Sequence, residues 1–211
     1  FSAGGIEVQD DSVPQANGMA IKLFGVEGEK LLEDERDAET QDFVMINNFP
    51  SFFVRNLVDY QAIHEALGME DPTAGTATFF RSHPEELRAV QAMRGDAPLA
   101  SPFEARYWSQ TPFKLGPHAT KYSANPIFVP PGTPGTGPDF LRDVALEQVG
   151  AGDVYFDFLV QVQTDPVTMP VEDSLVVWDE EEAPFERVAL IRIPRQEIDI
   201  AQEGLAGNGG V

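Results

Sequence analysis

Phe43-Val44-Met45-Ile46-Asn47-Asn48-Phe49-Pro50-Ser51-Phe52-Phe53-Val54-Arg55 is the stretch on which the reading of this chain turns. It is apolar on both faces, yet Asn47-Asn48 and Pro50 interrupt it, which predicts a buried extended segment with a kink. Two adjacent amides in such surroundings require a reason, because a buried Asn must find hydrogen-bond partners or destabilise the fold. One reason is a turn, since Asn tolerates unusual backbone angles and Asn-x-Pro punctuates chains. The other is function: an amide placed above a large apolar cofactor, with Phe52 and Phe53 packing either that cofactor or the core.

On the N-terminal side, Met19, Ile21 and Leu23 alternate with Ala20, Lys22 and Phe24, the period-two pattern of a strand that opens at Gly18. Gly25 to Thr40 is an acidic surface excursion. On the C-terminal side, Ile63, Ala66 and Leu67 predict a short helix from Asp59 that stops at Gly68. In a second predicted helix Pro84 takes an early position and Ser82 and Glu85 have capping-box spacing; Leu87, Val90 and Met93 share a face and Gly95 closes it. Tyr107 to Phe113 and Ala119 to Ser123 read as paired strands joined around Gly116-Pro117, followed by a loop from Pro130 to Pro138. A helix from about Asp139 carries Phe140, Leu141, Val144, Ala145 and Val149 on one side and ends at Gly150. Val154, Phe156, Phe158, Val160 and Val162 then alternate with Tyr155, Asp157, Leu159, Gln161 and Gln163, the strongest strand pattern in the chain, and a last strand runs near Val188 to Ile193. Strands and helices mix without a βαβ rhythm or an internal repeat, so the expected class is α+β, in a single domain over residues 1–211.

Composition narrows the partners. A chain of 211 residues with 42% hydrophobic content can bury one sizeable core. Lys+Arg 14 against Asp+Glu 35 gives a net charge of -21, which repels phosphate backbones, so no nucleic-acid partner is expected. No run of about 18 apolar residues occurs, and no membrane-spanning helix is expected. The absence of cysteine removes disulfides, thiolate haem ligation, zinc-thiolate sites and cysteine nucleophiles together. The chain opens at Phe1 with no targeting signal to read, and the true N-terminus is expected upstream.

Conventional sites find little support. His64, His83 and His118 are the only histidines, and none forms an HExxH or an i, i+4 histidine pair. Ser101, Ser109 and Ser123 lack the GxSxG elbow of a hydrolase nucleophile. Gly132, Gly135 and Gly137 alternate with prolines, which cannot supply the amide donors of a phosphate cradle. Asp179-Glu180-Glu181-Glu182 lacks the spacing of a calcium loop and reads as a solvated face.

At this point the chain resembles the catalases over most of its length. Phe1-Ser2 is similar to the end of their Arg-Phe-Ser motif, and Gly18-Met19-Ala20-Ile21-Lys22 to their Gly-Phe-Ala-Val-Lys strand. Asn47 to Arg55 resembles their Asn-Asn-Thr-Pro-x-Phe-Phe-x-Arg stretch, the most specific of these matches. Tyr107 to Leu115, Thr120 to Tyr122, Phe156 to Gln163, Met169-Pro170, Trp178 and Pro184 to Pro194 follow in the family's order. The short insertion between Arg55 and Tyr107 is closest to the compact bacterial catalase-related proteins. Two departures stand out: Asn17 replaces an arginine, and the glycine-rich end from Gly204 to Val211 does not match.

The resemblance implies a catalase-like fold, an antiparallel β-barrel with peripheral helices, and haem b as cofactor. It implies that Asn47 orients peroxide and that Ser2 stands near the distal histidine. Met45 would be an apolar haem contact and Phe52 would stack beside the haem; Tyr60, by spacing, would add another aromatic. The distal histidine and the proximal tyrosine ligand are expected outside Phe1 to Val211. The implied activity is breakdown of hydrogen peroxide or an organic hydroperoxide, in a homo-oligomer. Two alternatives stay open: a haem-free catalase-derived structural or interaction module, and a haem hydroperoxide isomerase.

Overall fold

The computed structural model describes residues 1–3, 9–133 and 135–198. The expectation for Gly204 to Val211 lies outside the described residues. The strands are β1 (Ser2–Ala3), β2 (Asn17–Phe24), β3 (Thr40–Ile46), β4 (Tyr107–Ser109), β5 (Phe113–Leu115), β6 (His118–Phe128), β7 (Val154–Val162) and β8 (Glu186–Ile193). All pair antiparallel in one curled sheet of order β1-β2-β3-β4-β6-β7-β8, with β5 added to β6. Among the described residues four α-helices accompany it: α1 (Leu57–Leu67), α2 (Pro72–Ser82), α3 (Pro84–Arg94) and α4 (Phe140–Ala151). Among the described residues β1 and β8 do not pair with each other, so the expected barrel is a half-barrel here.

Period-two alternation sends one face of each strand into the concave core, where Met19, Phe43, Met45, Tyr107, Tyr122 and Phe156 meet. β7 follows the predicted alternation through Val160, but Val162, at the strand's end, is exposed. The Phe43 to Val54 stretch departs from its reading as buried on both faces. It is a strand to Ile46, with Val44 65% exposed on the convex side, and then a turn in which Asn48 has φ 69°. The hairpin around Gly116-Pro117 forms, but Gln110 to Pro112 split its first arm into β4 and β5.

Helix boundaries follow capping chemistry. α1 starts two residues earlier than expected because the Asn56 side chain accepts the amides of Val58 and Asp59. α2 was not anticipated, although Asp71-Pro72 marks it: Asp71 accepts the amide of Ala74 and proline stands at the first turn. Gly75 is required there, since a Cβ would lie 2.5 Å from the Ala66 carbonyl oxygen of α1. The expected Ser82–Glu85 capping box does not form. Ser82 ends α2 and donates to the Phe79 carbonyl, leaving His83 as the start of α3 without a side-chain cap. α4 runs through Gly150 to Ala151, and its Leu141 amide is capped from a distance by Asp11 at 2.8 Å.

Candidate functional site

The Asn47-Asn48 pair divides its work between two sides of one turn. Asn48, in the left-handed conformation, donates to the carbonyls of Met93 at 3.0 Å and Arg94 at 3.3 Å, closing the end of α3. Asn47 faces the other way. Its backbone N–H donates to the Asn17 carbonyl, and its Oδ1 accepts the Asn17 N–H at 2.7 Å. That second bond fixes which end of the amide is oxygen, and it leaves Nδ2 as a buried donor without a partner among the described residues. Asn47 is 1% exposed, so this donor is held dry, in surroundings where an unmade hydrogen bond is expensive.

The turn is braced at each of its next residues. Phe49 N–H bonds to the Asn47 carbonyl at 2.9 Å, and Gln110 donates to the Phe49 carbonyl at 3.1 Å. Lys121 donates to the Pro50 carbonyl, and Phe52 N–H to the Ser174 carbonyl. Arg55 then pairs with Asp173 and Glu85, tying the segment to the 164–185 loop and to α3.

Of the residues singled out by the resemblance, Ser2 sits on β1 opposite Gly18, and a Cβ on Gly18 would lie 2.8 Å from Ser2 Oγ. With Phe1, Asn17, Phe103 and Leu141, Ser2 also lines a largely apolar cavity of about 560 Å³ beside α4. Asn47 joins this corner through Asn17. Met45 has no exposed surface: strand parity opposes it to Met19 and points it into the core. Phe52 and Tyr60 come together elsewhere, with ring centroids 6.0 Å apart, in an aromatic row that adds Phe53 and His64. Tyr60 is 39% exposed, and the neighbouring Leu57 and Val58 are exposed as well.

Asn47 thus offers a dry amide donor, and Phe52 with Tyr60 an aromatic surface in a separate cluster against α1. A side chain to ligate a cofactor's iron is another matter. Tyr107 lies in the core with its hydroxyl donated to the Pro102 carbonyl at 2.6 Å, and burial pushes its pKa up, away from a tyrosinate. Tyr122 stacks on Phe158 within the same core, and the Tyr155 hydroxyl bonds to Asp153. His64 Nδ1 is engaged by the Tyr60 carbonyl, and His83 packs flat on Phe79. Among the described residues no cluster of three metal-ligating side chains occurs.

No family model matches the chain, and no curated protein matches it. Among solved structures the chain is similar to a fungal catalase, at 17% identity and a TM-score of 0.67, over 93% of this chain and 42% of that one. Catalase A from Saccharomyces cerevisiae gives 17% identity and a TM-score of 0.67, over 92% and 43%. A bacterial catalase gives 16% and 0.58, over 92% and 40%. The fold is catalase-like. The chain therefore spans under half the length of each of these catalases.

Several residues that build this corner carried no signal in the sequence. Asn17, noted as a departure, is the partner that orients Asn47. Gln110 and Lys121 lie in strand-like segments where nothing in the pattern reveals what their long side chains reach. Among the described residues no helix is long and apolar enough to cross a membrane.

Proposed function

We propose that the chain is one catalase-like domain and acts in haem-dependent breakdown of hydrogen peroxide or an organic hydroperoxide. The observation that carries this reading is the buried Nδ2 of Asn47, without a partner among the described residues, on a catalase-like sheet. A peroxide oxygen is an acceptor of the right kind for that donor, and because Asn17 holds Oδ1, the donor needs no reorganisation to meet it. Phe52 and Tyr60 supply the apolar face against which haem b would lie. Ser2 adds a hydroxyl beside Gly18, and Met45, wholly buried in the core, offers no free contact surface. When bound, haem supplies the ferric iron at which the O–O bond is cleaved. The tyrosine that would ligate its iron and the proton-transferring histidine would come, in this reading, from outside Phe1 to Val211. The same reading makes the working protein a homo-oligomer.

In haem-loaded protein, Asn47→Ala should slow peroxide breakdown about tenfold or more while haem is retained. Unchanged turnover contradicts the assignment.

A second reading, a haem-free interaction module, draws on the engagement of Tyr107, Tyr155, His64 and His83 in bonds and stacks of their own. Haem binding by the full protein would dismiss it.

A further inference from the structure

Lys121 is 3% exposed and makes no ion pair among the described residues. A buried ammonium without a carboxylate is costly, so its neighbours must account for it. On β6 its neighbour Tyr122 points into the concave core, and Lys121 therefore stands on the opposite face, beside its cross-strand partner Gln161. The 164–185 loop covers that face. Gln161 holds the loop by donating to the carbonyls of Ala183 at 2.8 Å and Trp178 at 3.1 Å.

Lys121 does something different. Its Nζ lies 3.3 Å from the Val176 carbonyl in the loop and 3.4 Å from the Pro50 carbonyl in the turn after Asn47, with the Trp178 ring centroid 5.3 Å away. One side chain thus spans from the sheet to two separate segments, and a three-donor head on a four-carbon stem suits that task. The ring face compensates part of the charge that burial strips of water.

We propose that Lys121 is a positioning residue, which holds the Asn47–Ser51 turn against the sheet and so fixes the place of the Asn47 amide. This rests on the reading of Asn47 as the peroxide-orienting group. Gln110 grips the same turn one residue earlier, at Phe49, so Lys121 sets the far end of a two-point hold. A loop staple alone would need only the Val176 contact; the Pro50 contact links Lys121 to the site.

The test compares Lys121→Met and Lys121→Arg in the full haem-loaded protein, by amide hydrogen exchange and steady-state peroxide kinetics. In Lys121→Met, exchange at Phe49 and Phe52 should rise about tenfold, and kcat should fall about tenfold with KM and haem content unchanged. Lys121→Arg, which keeps charge and donors, should recover most of both. Unchanged exchange at Phe49 and Phe52 in Lys121→Met overturns the hold on the turn, whatever the activity. Raised exchange with unchanged kcat overturns the positioning role. If haem-loaded wild type breaks down no peroxide, the functional reading fails separately, and exchange still decides whether Lys121 holds the turn. Should Lys121→Met not fold, Lys121→Gln, a shorter neutral donor, is read by the same exchange measurement.

Discussion

Asn47 Oδ1 accepts the backbone N–H of Asn17 at 2.7 Å, and this one bond between β2 and the end of β3 determines which way the buried amide presents its donor. Removing the side chain in Asn47→Ala leaves the Asn17 N–H buried and unpaired, so the fold should lose about 1–3 kcal/mol. Asn17→Ala keeps that N–H and gives up only its own bond to the Gln15 carbonyl, so its loss should be smaller. Chemical denaturation of the two variants measures the difference. Equal losses would mean that the Asn17–Asn47 bond is not the tie described here.

Asn48 and Gly95 form a second pair. A Cβ at Gly95 would lie 2.7 Å from Asn48 Nδ2, and Gly95 has φ 75°, so Gly95→Ala should cost about 1–2 kcal/mol. Asn48→Ala removes the cap on α3 at a similar cost of about 1 kcal/mol. In the double variant the clash has no amide to meet, and the two losses should sum to less than their separate values by about 0.5–1 kcal/mol. A double-mutant cycle on unfolding free energies checks this.

Gly75→Ala sets two effects against each other. Alanine favours a helix interior by about 1 kcal/mol, but its Cβ would press on the Ala66 carbonyl at 2.5 Å, where backbone must move. Overpacking of that kind costs about 1–3 kcal/mol, so the variant should melt below wild type. A higher Tm would show that α1 and α2 do not meet as closely as described.

These positions also mark what the sequence made legible. The strands β2, β7 and β8 and the helices α1, α3 and α4 were readable because alternation or a one-sided apolar face survives in the chain. The resemblance at Asn47 to Arg55 implied a catalase-like fold, and three solved catalases share that fold. α2 was missed because Phe79 and Phe80 fall among Thr and Gly residues that blur its apolar face, leaving only Asp71-Pro72 as a start signal. The closed barrel was not reached, since β1 has two residues and no bond to β8 among those described. At the site, the motif pointed to Asn47, whereas Asn17, Gln110 and Lys121 act through long-range contacts that no local pattern encodes.

Burial lowers the Lys121 pKa to about 8 from its ordinary 10.5. Between those values the unfolded chain holds the proton and the folded chain has released it, so stability should rise with pH across about 8 to 10.5. Integrated over that window, the contribution is about 3 kcal/mol, and it is absent below pH 8. Lys121→Met should flatten this part of the stability profile. A wild-type profile without the rise would mean that Lys121 is better solvated than its surroundings indicate.

The net charge of -21 makes the folded state repel itself. Raising salt from about 0.01 M to 1 M shortens the screening length from about 30 Å to 3 Å, so Tm should increase over that range. Differential scanning calorimetry in sodium chloride reads the trend, and a flat response would show that local ion pairs such as Arg106–Glu180 already offset the excess charge.

The most direct measurement is an ultraviolet-visible absorption spectrum of the full protein isolated from its native source, before and after addition of peroxide. The haem-dependent reading predicts an intense haem band that responds to peroxide and accompanies peroxide loss. No haem band, even after reconstitution of the full-length protein with haem, would contradict it and favour the interaction module.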